Sequence, residues 1–331
     1  MAEKVESVAS NRHEYAQLTD EGLKFSDPKL LDKFSKKMLS ASLITGMLGC
    51  GAQYAANAFL YDVLPIEQDN AMTRGSFFHR IMELLFALPS DERTRDKALS
   101  LIDTVCQEKD FAHFATNGDA LEWVTVAINN YFDMGGKPEN ARIADFKGRG
   151  GLEVRITGQI EGCSRNFHGF IDKLSYSKTG DYIIDDWKTG AKAKKYSPHA
   201  RYEEGWPEAR QQILYSYIIN NMSQELPVKK ARLIFPVAQK VVKVDIDNEE
   251  YVTKAVTEAQ EAEKVLDKAC EENLFRYKKS FLCHWCPLAK VCPAAMKPVR
   301  NVEKAWDAYS AQPDISYFGQ SISFDVADDK D

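Results

Sequence analysis

Two acidic side chains and one lysine carry the most chemistry in this sequence. Asp172 lies in Gly169-Phe170-Ile171-Asp172-Lys173-Leu174, and Asp186 and Lys188 lie in Tyr182-Ile183-Ile184-Asp185-Asp186-Trp187-Lys188-Thr189-Gly190. If the two segments pair as adjacent antiparallel strands, Asp172 and Asp186 occupy neighbouring positions on one face near the strand ends. The two-residue period then puts Lys188 on the face of Asp186. Two carboxylates beside an ammonium group make a hard-cation site. Mg²⁺ or Mn²⁺ takes oxygen ligands and keeps positions for water and phosphate, while the lysine serves an attacking water or an anionic transition state. The spacing alone also fits solvated strand residues and a surface lysine. Against that stands the apolar pair Ile183-Ile184 just before Asp185 and Asp186. At least one carboxylate then sits where an interior strand leaves the core, and a charge there needs a partner.

These residues need a sheet and helices to hold them. From Ser40 to Phe59 apolar residues recur at helical intervals around Cys50. Phe77, Phe78, Ile81, Leu84, Leu85 and Leu88 trace a second helix opening near Ser76, and 94–133 reads as further helices. Glycines at 135–136 and at 148, 150 and 151 mark a change, after which three strands fit: 152–161, 167–176 and 181–187, the last two joined by Lys178-Thr179-Gly180. A helix over 208–222, strands over 231–237 and 240–246, and a charged helix over 249–272 follow. That order predicts an α/β (α+β) core, one central mixed β-sheet flanked by helices behind an N-terminal helical region, with no internal repeat.

The 331 residues are 44% hydrophobic and 28% charged, which excludes disorder as a general description. No apolar run approaches the roughly 18–20 residues that span a bilayer, and Met1 to Asp20 is too polar for a signal-peptide core, so a cytoplasmic location is expected. The net charge of -6 argues against indiscriminate coating of nucleic acid but leaves room for a local basic groove. Such a groove is suggested by Lys188, Lys192, Lys194, Lys195 and Arg201, a run without an acidic residue. A solvated loop accounts for the run equally well by itself. Its place beside the acidic pair favours phosphate contact, with Tyr196, Tyr202 and Trp206 available to stack on exposed bases and little sequence specificity. No phosphate-binding G-x-x-x-x-G-K-[ST] loop occurs, so any translocation would need a partner.

Taken in order, these motifs resemble the PD-(D/E)XK nucleases, in particular the RecB-type branch that includes CRISPR-adaptation nucleases and phage exonucleases. The resemblance runs from about residue 50 to residue 292 and implies a restriction-endonuclease-like core. Asp172 matches the aspartate of the family's G-x-x-D strand, Asp186 and Lys188 match its D-x-K strand, and the resemblance implies that the acids bind metal and the lysine is catalytic. Gln211-Gln212-Ile213-Leu214-Tyr215 matches the Q-x-x-x-Y helix, with Gln211 and Tyr215 one turn apart and Leu214 and Ile218 toward the sheet. Arg74-Gly75-Ser76-Phe77-Phe78-His79 resembles the G-x-x-x-H helix, whose histidine is a further metal ligand. Glu83, one turn on, and Glu153, opening the first strand, are additional acidic candidates.

Near the C-terminus Cys283, Cys286 and Cys292 form C-x2-C-x5-C, an arc of three thiols that needs a fourth ligand. Cys50 matches the position where iron-sulfur members of this branch place their first cysteine. Four thiolates suit a [4Fe-4S] cluster and also suit zinc, so ligand count leaves both open, and the resemblance favours iron-sulfur. A zinc site closed by Cys270 or His284 is the alternative. Cys106, Cys163 and Cys270 otherwise read as buried thiols.

The expected organisation is a mobile segment over 1–35, a helical region carrying His79 and Cys50 over 36–135, a nuclease core over 136–275, a cysteine-rich segment over 276–311 that clamps the fold, and a mobile acidic tail over 312–331. The resemblance implies a Mg²⁺- or Mn²⁺-dependent DNA exonuclease acting on ends or single strands, in recombination, repair or phage DNA processing, in a bacterial or phage-infected cell. Two alternatives stay open: a CRISPR-adaptation nuclease or nuclease arm of a helicase complex, and a non-catalytic subunit that binds DNA ends.

Overall fold

The structure is a computed structural model and describes residues 15–63, 69, 71–190, 205–222, 226–279, 283, 286, 288–295, 300, 302 and 304. Its first elements are β1 (Ala16–Leu18), β2 (Gly22–Phe25), α1 (Pro28–Ser35), α2 (Ala41–Leu48), α3 (Gly51–Val63), α4 (Ala71–Ala87), α5 (Arg95–Cys106) and α6 (Gly118–Asp133). Strands β3 (Arg142–Ile143), β4 (Asp145–Phe146), β5 (Arg149–Gly150), β6 (Leu152–Gln159), β7 (Asn166–Tyr176) and β8 (Tyr182–Trp187) follow. The chain continues with α7 (Trp206–Met222), β9 (Val228–Phe235), β10 (Lys240–Val244), α8 (Glu249–Glu271) and β11 (Phe275–Arg276). It divides into two compact units, Lys36–Leu48 with Ala71–Asp267, and Met1–Ser35 with Gly49–Asn70 and Lys268–Asp331. The expected helical region is therefore shared, with His79 in the first unit and Cys50 in the second.

The first unit is built on a mixed sheet in the order β10-β9-β8-β7-β3, with β6 also paired to β7. All its pairings are antiparallel except β8 with β9, which α7 separates in the chain. This is the mixed sheet flanked by helices that the element order predicts. On one side α4, α5 and α6 bury Phe77, Phe78, Ile81, Leu85 and Val124 against Trp187 and Ile234 of the sheet. Each such side chain contributes on the order of 1.5–3 kcal/mol when fully buried. Thr94 and Asn117 cap α5 and α6, their side-chain oxygens accepting the backbone N–H groups of Lys97 and Ala120. The helix expected to open near Ser76 begins earlier, at Ala71. Gly75 faces Thr189, where a Cβ would come 3.0 Å from Oγ1, so this position admits the close approach of α4 to the chain leaving β8.

In the second unit, β1, β2 and β11 form an antiparallel sheet. Residues 15–35, expected to be mobile, are instead β1, β2 and α1, which corrects the sequence reading. Tertiary contacts hold them where local periodicity is weak. Asn273 bonds both the N–H and the C=O of Phe25, and Phe25, Phe34 and Phe275 pack their rings together. Gly22 passes so close to the Phe275 carbonyl that a Cβ would lie 2.3 Å from the oxygen, a position only glycine fills. The long helix expected around Cys50 is broken there into α2 and α3. The acidic tail over 312–331 lies outside the described residues.

Candidate active site

Register decides which side chains meet. The β7–β8 ladder pairs Lys173 with Asp185, so one step further along the strands Asp172 and Asp186 stand across from each other on the opposite face. Lys188 reaches back to Asp186, with Nζ 2.7 Å from Oδ2, and donates to Gln211 Oε1 at 3.2 Å. Gln211 in turn donates from Nε2 to the Tyr215 hydroxyl at 3.1 Å. Burial would lower the Lys188 pKa, but the Asp186 carboxylate outweighs it and holds the amine above its ordinary value. The lysine therefore stays an ammonium. Burial pushes the Tyr215 phenol up to about 12, so it too keeps its proton. A Cβ on Gly169 would lie 2.3 Å from the Tyr215 ring, which explains the glycine three residues before Asp172. Leu214 and Ile218 are buried beside them, as their placement toward the sheet requires.

His79 and Asp172 are aligned by the backbone of Trp187, the residue just before the lysine. The Trp187 N–H donates to Asp172 Oδ2 at 2.7 Å, and the Trp187 carbonyl lies 3.1 Å from His79 Nε2. Burial lowers the His79 pKa, so the ring is neutral, and Nε2–H donates to that carbonyl. The Nδ1 lone pair is left facing Asp172 Oδ2 at 3.5 Å. Two acceptors turned toward each other call for a cation or a proton between them. Burial, and next the Asp186 carboxylate, raise the Asp172 pKa well above its ordinary value.

Glu153 completes this cluster. It would sit across from Asp172 in the β6–β7 register, and its φ of 47° breaks the ladder at that step. Single ligand atoms of His79, Glu153 and Asp172 lie within 4.8 Å of one another. Lost hydration, then Glu83 and Asp186, push Glu153 up to about 6. A neutral imidazole with several carboxylate oxygens fits Mn²⁺ or Mg²⁺. Glu83 is turned aside to Arg80 at 2.7 Å, and Arg80 also grips Glu108.

The opposite face is closed. Asp185 is fully buried, with Lys173 Nζ at 2.7 Å and the Arg232 guanidinium donating to both its oxygens. Burial alone would raise its pKa, yet these cations bring it below the ordinary carboxylate value. Sequence reasoning left the partner of this acid unnamed, and it missed the two main-chain bonds of Trp187, which no side-chain type announces.

Cys50, Cys283, Cys286 and Cys292 line one small pocket with Tyr277. Burial pushes Cys286 up to about 12 and Cys292 up to about 11, and nearby thiols add to both shifts. Backbone N–H groups of Lys278 and Ala294 point at the sulfurs of Cys50 and Cys292. A nest of thiols that resists losing protons is one that bound cations would relieve, and the donor set fits a metal or cluster.

Of the residues expected to contact DNA, Lys192, Lys194, Lys195, Arg201, Tyr196 and Tyr202 lie outside the described residues. Trp206 is not available for stacking on bases. It is buried, its Nε1–H donates to Glu258 at 2.9 Å, and Lys254 lies over its ring.

A family model described as the PD-(D/E)XK nuclease superfamily matches residues 38–293. Among solved structures, a candidate exonuclease from Eubacterium rectale is similar at 13% identity and a TM-score of 0.46, covering 81% of this chain and 92% of that one. The protein SSO0001 is similar at 11% identity and a TM-score of 0.37, covering 81% and 96%. No curated protein matches the sequence.

Proposed function

Because the chain belongs to the PD-(D/E)XK nuclease superfamily, we propose that it is a Mg²⁺- or Mn²⁺-dependent deoxyribonuclease that degrades DNA from ends, favours single strands and reads little sequence. The observation that carries this reading is the convergence of His79, Glu153 and Asp172 within ligand distance, beside the Asp186–Lys188 pair. His79, Asp172, Asp186 and Glu153 would hold the ion, which when bound polarises the phosphate and lowers the pKa of water. Hydrolysis joins a water oxygen to phosphorus as that water gives up a proton to solvent, breaks a phosphorus–oxygen ester bond and leaves the departing oxygen to take a proton from solvent. Lys188, charged and held by Asp186 and Gln211, orients the nucleophile and offsets charge on the phosphorane-like transition state; an ammonium cannot act as the base. Gln211 and Tyr215 fix the lysine.

For the cysteine pocket, the proposed occupant is a [4Fe-4S] cluster held by Cys50, Cys283, Cys286 and Cys292, with zinc as the competing occupant. Iron and zinc content together with the absorption spectrum of anaerobically purified protein distinguishes them.

The nuclease test uses labelled oligonucleotides blocked at the 5′ or the 3′ end, with Mg²⁺, Mn²⁺ or EDTA. Metal-dependent degradation from one end that is lost in Lys188→Ala supports the proposal. Degradation that survives EDTA, or that Lys188→Ala leaves intact, overturns it.

A further inference from the structure

An uncovered aromatic ring stands beside the acidic cluster. Phe170 lies two residues before Asp172 on β7 and is 49% exposed, although burying such a ring is worth about 1.5–3 kcal/mol. Its ladder partner is Arg155, an exposed residue of β6, and two residues before Arg155 comes Glu153. Phe170, Arg155, Glu153 and Arg149 line one groove of about 730 Å³. That size suits a nucleotide-sized ligand. Among the described residues Arg149 and Arg155 form no ion pair, so both guanidinium groups are free to meet an anion.

Charge and shape specify the occupant. Guanidinium groups beside a flat apolar ring match a chain that alternates phosphates with planar bases, and Glu153 of the ligand trio lines the same groove. A base still paired in a duplex keeps its faces covered, whereas an unpaired base can lay one on a phenyl ring. We infer that Phe170 is a stacking platform for an unpaired base next to the scissile phosphate, and that Arg155 and Arg149 hold the neighbouring backbone phosphates, so that this groove selects single-stranded DNA. The inference rests on the nuclease reading above and names the substrate subsite of the same centre.

Binding of a fluorescein-labelled oligo-dT, read by anisotropy in EDTA, separates the groove from hydrolysis. Phe170→Ala should weaken binding about tenfold, and Phe170→Trp should keep it. Arg155→Ala should weaken binding severalfold and reduce its salt dependence by about one phosphate contact. An abasic nucleotide moved along the strand should weaken binding to the wild type at one position and make no difference there to Phe170→Ala. Both side chains are exposed, so unchanged melting checks that the variants fold. The inference is overturned if Phe170→Ala and Arg155→Ala bind within twofold of wild type, as a face reserved for a protein partner would. Equal losses on single strands and blunt duplex, or a wild type that does not bind the oligonucleotide, overturn it too. Failure of the nuclease reading looks different: a wild type that binds through Phe170 yet cleaves nothing with Mg²⁺ or Mn²⁺.

Discussion

The two faces of the β7–β8 pair treat their carboxylates in opposite ways. On one face Asp185 is enclosed by Lys173 and Arg232 and its pKa falls; on the other Asp172 faces a neutral imidazole, and burial and then the Asp186 carboxylate raise its pKa. Both acids are surrounded by protein. The difference lies in whether the chain itself supplies the compensating charge. Where it does, the acid is part of the structure; where, among the described residues, Lys188 is the one ammonium or guanidinium group ion-paired with Asp172, Asp186 or Glu153, the deficit favours an outside cation.

Substitutions on the two faces should therefore separate catalysis from folding, and the largest effect belongs to the open face. Lys188→Ala removes the transition-state cation and should lower kcat by a factor on the order of 10³, about 4 kcal/mol. On the closed face Asp185→Asn leaves the buried Lys173 and the half-buried Arg232 without their counter-charge, at a cost of about 3–5 kcal/mol in denaturant unfolding. Because the folded pKa of Asp185 is depressed, its contribution is fully present above the unfolded value near ~4 and is lost as pH falls through the folded one. The gap between wild type and Asp185→Asn should shrink on acidification below that point. A gap that persists in acid would mean the pair does not act through charge.

Much of the sheet was legible because alternation and turn signals act locally. The apolar Ile183-Ile184 pair before the two acids, and a two-residue period, were enough to bring Asp172, Asp186 and Lys188 together; that concerns their juxtaposition and leaves their role a proposal. What was not legible depends on distance or on the backbone. Arg232 reaches Asp185 from 47 residues away, and Trp187 aligns His79 and Asp172 through groups every residue possesses. Residues 15–35 are ordered by Asn273 and Phe275, which no local window contains. Trp206 shows the reverse error: an aromatic beside a basic run looks like a stacking residue until a helix start buries it.

The cysteine pocket extends the contrast to a site made of one ligand type. If a cluster or ion satisfies the thiols as Lys173 and Arg232 satisfy Asp185, Cys286→Ser should lose the bound metal and lower stability by roughly 2–4 kcal/mol, a cost comparable to losing a crosslink. Calorimetry with metal analysis decides this, and an unchanged melting temperature removes the clamp role. A smaller effect is expected at Gly169. An added methyl group displaces the Tyr215 ring, so Gly169→Ala should cost about 1–3 kcal/mol. Since that ring holds Gln211, and through it Lys188, kcat should fall more than KM changes.

The smallest effect has the most telling sign. In the metal-free protein Asp172 is an acid whose raised pKa makes ionisation work against folding, so wild-type stability declines as pH rises from the unfolded value near ~4 toward the folded one. Asp172→Asn keeps an acceptor for the Trp187 N–H and removes the ionisation. It should melt a few degrees higher than wild type at neutral pH without metal, and this advantage should fade toward pH ~4. Mn²⁺ should raise the melting temperature of wild type but not of Asp172→Asn, reversing their order, because only the carboxylate gains from the ion. An Asp172→Asn protein that is less stable than metal-free wild type at neutral pH would place Asp172 with Asp185 among the satisfied acids, and the open face would lose its claim to be a metal site.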